Sequence, residues 1–108
     1  MQMIRSIVRP EKVGPVMKAL FEAGYVAVTR IPVSGRGKQR GIKIGNITYD
    51  ELQKELLIIV VEDNDKDFAV QTILEAARTG KEGAFGDGKI FISPVDEAYT
   101  ISRAAKEL

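Results

Sequence analysis

The run Leu56-Leu57-Ile58-Ile59-Val60-Val61 is short, aliphatic and uninterrupted by charge. A continuous apolar run of this length is expected of a central strand. Reading outward from it, Glu62-Asp63-Asn64-Asp65 supplies the acids that favour a helix N-terminus. Phe68, Thr72, Ile73 and Ala76 then recur at helical spacing, supported by Val70, Leu74 and Ala77, until Gly80. Ile90 to Val95 reads as a further strand, cut by Pro94. Toward the N-terminus the same plan appears. Met3 to Val8 is a strand ended by Arg9-Pro10, and Pro10 suits a helix entry. Val13, Val16, Met17, Leu20 and Phe21 form an apolar helical stripe, with Pro15 in or near the first turn and Gly24 as a C-cap. Tyr25 to Val33 is a strand with Val26, Val28 and Ile31 as core candidates. Residues from Ser34 to about Glu55 do not read as a core element. The order strand, helix, strand, long loop, strand, helix, strand is the ferredoxin-like split βαβ pattern. The expected fold is therefore α+β, a βαββαβ sandwich with a four-stranded antiparallel sheet in one domain spanning 1–108. Helices cover one face of such a sheet. The other face carries apolar residues and is expected to be hidden by self-association.

Composition narrows the function. The 108 residues carry 16 basic and 15 acidic side chains, so a net charge of +1 exerts no general pull on nucleic acid or anionic lipid. No apolar run approaches the length of a membrane span. The N-terminus enters a strand pattern at once and leaves no room for a signal peptide, so a cytoplasmic location is expected. Cysteine and histidine are both absent. That removes thiolate chemistry, the commonest general base and the commonest transition-metal ligand. Composition favours a binding module over an enzyme. RNA binding on the sheet would need exposed aromatics on central strands and a basic face. The Leu56–Val61 run has no aromatic residue.

Two glycine-bearing segments remain. Thr79-Gly80-Lys81-Glu82-Gly83-Ala84-Phe85-Gly86-Asp87-Gly88-Lys89-Ile90-Phe91 joins the second helix to the last strand. Successive backbone N–H groups in such a turn make an anion-binding concavity, and lysine adds a point charge suited to phosphate. It is not the nucleotide triphosphatase P-loop, because Lys89 is followed by Ile90 rather than Ser or Thr. Glycine-rich turns between a helix and a strand are also common, and most bind nothing. The second segment holds Gly35, Gly37, Gly41 and Gly45, interleaved with Arg36, Lys38, Arg40 and Lys43. Loops this long are usually functional or disordered.

At these motifs the chain resembles the PII family of nitrogen-signalling proteins along nearly its whole length. Thr79-Gly80-Lys81 with Gly86-Asp87-Gly88-Lys89-Ile90-Phe91 resembles the family's B-loop (about 79–89 here). Gly35-Arg36-Gly37-Lys38-Gln39-Arg40-Gly41 resembles the start of its T-loop (about 36–53). Ile4 to Pro10 resembles its first strand. The resemblance implies a homotrimer with a nucleotide site between subunits, where ATP and ADP compete. Ile7, Thr29, Gly35, Gly37, Lys38, Val60, Gly86, Asp87, Gly88, Lys89 and Arg103 fall at the nucleotide positions. It also implies 2-oxoglutarate binding with ATP and Mg²⁺, through Arg9, Gly37, Gln39, Gly41 and Lys54. Residue chemistry agrees. Gln39 offers a hard carbonyl oxygen to Mg²⁺, and Lys54 and Arg9 can hold carboxylates, though on residue type alone both are also compatible with solvated surface charges. Asp87 repels phosphate and reads as an acceptor that orients the loop. The family is generally not enzymatic.

The chain departs from the family pattern in three places. Glu82-Gly83-Ala84-Phe85 holds extra residues within the B-loop. The T-loop is short, and Tyr49 stands five residues before Lys54, closer than the family's modified tyrosine, so modification is not expected there. In the tail (about 98–108), Thr100-Ile101-Ser102-Arg103-Ala104 lacks one of the family's phosphate-facing arginines. The shortened T-loop, Tyr49-Asp50-Glu51-Leu52 and the Ser93–Ile101 ending most resemble the nitrogenase-associated archaeal subgroup. Its members are encoded in pairs and together inhibit dinitrogenase, with relief by 2-oxoglutarate and ATP. An ammonium-transporter regulator of the same family is the alternative.

Overall fold

The computed structural model describes residues 1–36 and 51–108, and the backbone alone of 42–44 and 47–49. Strand β1 (Gln2–Val8) leads through a 3-10 turn into helix α1 (Val13–Glu22). Strand β2 (Thr29–Gly35) follows, then the short β3 (Ile42–Ile44) and β4 (Ile47–Tyr49), and the long β5 (Leu52–Val61). A second 3-10 turn opens helix α2 (Lys66–Ala77), and β6 (Gly88–Pro94) completes the main sheet. A small hairpin of β7 (Tyr99–Thr100) and β8 (Ala105–Lys106) closes the chain. The sheet order is β2-β5-β1-β6, antiparallel throughout, which is the ferredoxin-like arrangement. The Leu56–Val61 run lies in β5, flanked by β2 and β1.

Register assigns the two faces, because side chains alternate along a strand. Ile4 lies opposite Ile59 and Ile92, and Ser6 opposite Leu57 and Ile90. Ile4, Ser6, Val8, Leu57, Ile59 and Val61 are all buried beneath the helices. Val13, Val16 and Leu20 of α1 and Ala69, Ile73 and Ala77 of α2 close over them. Each fully buried aliphatic side chain contributes about 1.5–3 kcal/mol. Met3, Ile7, Leu56, Ile58 and Val60 occupy the opposite, uncovered face and are partly exposed, as is Phe91.

Several expectations change. Strand β2 begins at Thr29 rather than Tyr25. The backbone of Gly24 and Tyr25 is spent on capping α1, with Gly24 N–H donating to the Phe21 carbonyl and Tyr25 N–H to that of Leu20. This is a Schellman cap, with Gly24 at φ +97°. Val26 and Ile31 are exposed, whereas Val28 does pack against the core. Ile31 faces Leu56 on the side that no helix covers. Phe21 and Phe68 fall outside the buried stripes. In α2 the stripe is Ala69, Ile73 and Ala77, whose small alanines let the helix sit close to the sheet. The stretch from Ser34 to Glu55 contributes no described core residue, yet it is not devoid of regular structure. Strands β2 and β5 pair out to Gly35 and Leu52, and β3 pairs with β4. The β7–β8 hairpin lies in what reads from sequence as an irregular tail, with Ala104 at φ +49° in its turn. Among the described residues no helix is long and apolar enough to cross a membrane.

Candidate functional site

The last residues of β1 and the lower half of β5 bring two cations together. Val8 pairs with Glu55, so the next positions, Arg9 and Lys54, project from the uncovered side of the sheet at one end. The loop between α2 and β6 closes over them. Arg9 Nε donates to Asp87 Oδ1 at 3.0 Å, and its Nη2 donates to the Phe85 carbonyl at 2.7 Å. Lys54 Nζ donates to the Gly86 carbonyl.

Asp87 organises the loop. Besides Arg9, its carboxylate accepts from Thr79 Oγ1 at 2.6 Å, Thr79 N at 3.0 Å and Ala84 N at 2.8 Å. Burial alone would raise its pKa. The bonds from Thr79, Ala84 and Arg9 outweigh that and hold the carboxyl well below its ordinary value. Lys54 is lowered, first by burial and then by the Arg9 charge beside it, against opposing pulls from Glu11 and Asp87.

Two glycines are needed for specific reasons. Gly86 has φ +89°, and a Cβ there would stand 3.3 Å from Arg9 Nη2 and 3.7 Å from Lys54 Nζ. Gly88 has φ +122°, and its Cβ would lie 1.7 Å from the Ile7 carbonyl oxygen, which no adjustment of side chains relieves. The glycine at 88 is therefore demanded by strand packing, whatever the loop binds. Beside the loop is a cleft of about 710 Å³, with Val70, Leu74 and Ala77 of α2 on one wall and Phe85, Lys89 and Ile90 on the other.

The residues singled out from sequence fall into groups. Ile7 lies directly opposite Lys89 and Leu56 on the uncovered face, next to Gly86–Lys89. Arg9 and Lys54 join that group. Thr29 pairs with Ile58 and Val60 with Met3. Met3 is four positions along β1 from Ile7, roughly 13 Å at the usual strand rise. Gly35 sits at the outer end of β2 opposite Leu52. Arg103 lies in the terminal turn, its Nε 2.8 Å from Glu107. Thr29 and Val60 thus lie along the sheet from the glycine loop, and Arg103 is paired with Glu107. Gly37, Lys38, Gln39 and Gly41 lie outside the described residues, and Tyr49 is described by its backbone in β4 only. Sequence reasoning assigned no role to Thr79, which ties the end of α2 to Asp87. The signal was its place at the head of the Thr79-Gly80-Lys81 motif. Nor did it anticipate that the Phe85 and Gly86 carbonyls would engage Arg9 and Lys54.

The family model for "Nitrogen regulatory protein P-II" matches residues 1–105. A nitrogen fixation nifHD1 region GlnB-like protein 1 of Methanosarcina barkeri is 55% identical over 101 residues, covering 94% of this chain and 93% of the relative. A nitrogen fixation nifHD region GlnB-like protein 1 of Methanobacterium ivanovii is 53% identical over 108 residues, covering all of both chains. A nitrogen regulatory protein P-II of Microchaete diplosiphon is 43% identical over 110 residues, covering 98% of this chain and 96% of the relative. The ferredoxin-like sheet, the glycine loop and these matches agree, and the chain belongs to the nitrogen regulatory protein P-II family, most similar to its members from archaeal nitrogen-fixation regions.

Proposed function

We propose that this chain is a nitrogen signal transducer that binds ATP or ADP together with 2-oxoglutarate at the subunit boundaries of a cytoplasmic homotrimer. Through residues of about 36–53 it regulates a target, dinitrogenase, whose inhibition is relieved by 2-oxoglutarate with ATP. A paralogous PII chain joins the inhibitory assembly. The nifHD-region names of its relatives support this target over an ammonium transporter.

The observation that carries the reading is the meeting of Arg9 and Lys54 beside Gly86–Lys89, with Asp87 committed to its own hydrogen bonds. The local field is cationic and suits anions. Phosphates are taken by backbone amides at Gly86 and Gly88 and by Lys89. The keto acid's carboxylates go to Arg9 and Lys54, with Gly37, Gln39 and Gly41 completing that side. The placement of Thr29 and Val60 along the sheet from the loop fits a site shared between copies. The uncovered sheet face, with Ile7, Ile58 and Phe91, is the apolar surface that a trimer removes from water.

Magnesium suits this donor set only in company with phosphate. Around Arg9 and Lys54 the one hydrogen-bonded carboxylate, Asp87, is already satisfied, so oxygen ligands come from the nucleotide and from the Gln39 carbonyl. Bound with nucleotide, the ion would be held by phosphate oxygens and the Gln39 side-chain carbonyl and would supply positive charge against the anions of the site. Calorimetric titration with 2-oxoglutarate tests the reading. Binding is expected with Mg²⁺-ATP and is expected to vanish in EDTA or with nucleotide omitted. Equal affinity in all three conditions refutes it. Purified dinitrogenase, assayed with this chain and its paralogue with and without 2-oxoglutarate, tests the target.

A further inference from the structure

Arg9 and Lys54 are not waiting for a ligand. Arg9 is held at two nitrogens, by the Asp87 carboxylate and the Phe85 carbonyl, and Lys54 is held by the Gly86 carbonyl. Phe85 lies in the Glu82–Phe85 stretch that holds the extra residues, so the lengthened part of the loop supplies one of these contacts. We infer that the Phe85–Gly86 edge of the loop is a built-in competitor for the keto acid: its two carbonyls occupy Arg9 and Lys54, and 2-oxoglutarate binds by displacing them. The inference rests on the functional reading above and concerns regulation of the same site.

Three observations support a displaceable latch. The Phe85 side chain is 89% exposed, so leaving costs almost no apolar packing. The contacts it makes are neutral carbonyl acceptors, whereas a carboxylate brings a full opposite charge to the same two cationic donors. The exchange is therefore downhill for a dicarboxylate, yet the loop lowers its apparent affinity. Finally, the loop is mechanically joined to the phosphate side. Asp87 binds Arg9, Thr79 and Ala84 at once, and Gly86 and Gly88 flank it, with Lys89 next. Moving Phe85 and Gly86 off the cations must shift the amides that face the nucleotide. Keto acid and nucleotide thus sense each other through this loop. A ligand biases such an element only by binding one of its arrangements better, and here the differing contacts are named.

Two measurements on the full chain test this. Deleting residues 83–85 should tighten 2-oxoglutarate, titrated into Mg²⁺-ATP-saturated protein, by about 5-fold or more, the lower end of a typical coupling. Affinity for ATP alone, titrated in parallel, separates release of the cations from general damage to the loop. Unchanged or weaker keto-acid binding overturns the inference. In the unmodified protein, hydrogen exchange of the 82–85 segment should quicken when 2-oxoglutarate is added at constant Mg²⁺-ATP. Protection there instead overturns it, and this readout stands even if the deletion variant fails to assemble. Unmodified protein that binds no 2-oxoglutarate with Mg²⁺-ATP refutes the functional reading itself. Binding with neither expected change refutes only the latch.

Discussion

Replacing Asp87 by Asn changes little in shape and much in hydrogen bonding. The carboxylate accepts from four donors, Arg9 Nε, Thr79 N, Thr79 Oγ1 and Ala84 N, between 2.6 and 3.0 Å. A carboxamide keeps one acceptor oxygen, and its NH₂ must face the remaining donors. With nitrogen on the inner side, the amides of Thr79 and Ala84 lose their acceptor. With nitrogen on the outer side, Arg9 is opposed. Leaving a buried donor unpaired costs about 1–3 kcal/mol. The loop is partly open to water, so the lower end applies to each of two donors, giving a loss of about 2 kcal/mol. Denaturant unfolding at fixed protein concentration measures it, since assembly makes apparent stability concentration-dependent. The loss carries a pH signature. The Asp87 carboxyl lies below its ordinary 3.8, because hydrogen bonds outweigh burial. A depressed carboxyl pKa stabilises fully above the unfolded value and less as pH falls through the folded one. The gap between wild type and Asp87→Asn should therefore be constant from about pH 7 to 5 and close progressively below about pH 4. A gap under about 0.5 kcal/mol at pH 7, or one that does not close in acid, would refute Asp87 as the loop's organiser.

Further outcomes follow from the same geometry. Lys89→Ala should weaken ATP and ADP alike by about 10-fold or more, since a hydrogen bond to a charged group contributes roughly 1.5–3 kcal/mol; unchanged calorimetric affinity removes Lys89 from the site. Gly88→Ala should lower the melting temperature sharply or abolish folding, because its Cβ would lie 1.7 Å from the Ile7 carbonyl oxygen; a melt matching wild type would show that the strand tolerates a shift. Ser6→Ala should leave stability unchanged or raise it by about 1 kcal/mol, because the Ser6 hydroxyl is fully buried without a partner; a clear loss in thermal melts would mean the hydroxyl is satisfied. Deleting residues 42–50 should abolish target binding and leave assembly and ATP affinity nearly intact; a variant that no longer assembles, seen by light scattering, would make the segment structural.

Much of this protein was legible in the order of its residues. The Leu56–Val61 strand, the two helices and Gly24 as a cap are local signals, set by side-chain periodicity and by the backbone freedom of glycine, and each survives in the folded chain, though the buried face of α2 is not the stripe the spacing indicated. The B-loop and T-loop motifs likewise identify the family without coordinates. Other features belong to pairing and cover, which no local pattern contains. Ile31 and Val26 are as apolar as Val28, yet only Val28 lies where the core reaches it. Ala69 and Ala77 are weak hydrophobes in sequence and become core because a close-packed helix needs small residues there. The site shows the same division. Sequence supplied Arg9, Lys54 and Asp87 as three charges of separate address. Only the antiparallel register of β1 with β5, and a loop folded back by one carboxylate, set them in contact and placed the chain's own carbonyls against both cations. Hydrogen bonds between groups far apart in sequence depend on where the chain returns in space, and that is decided by the tertiary fold.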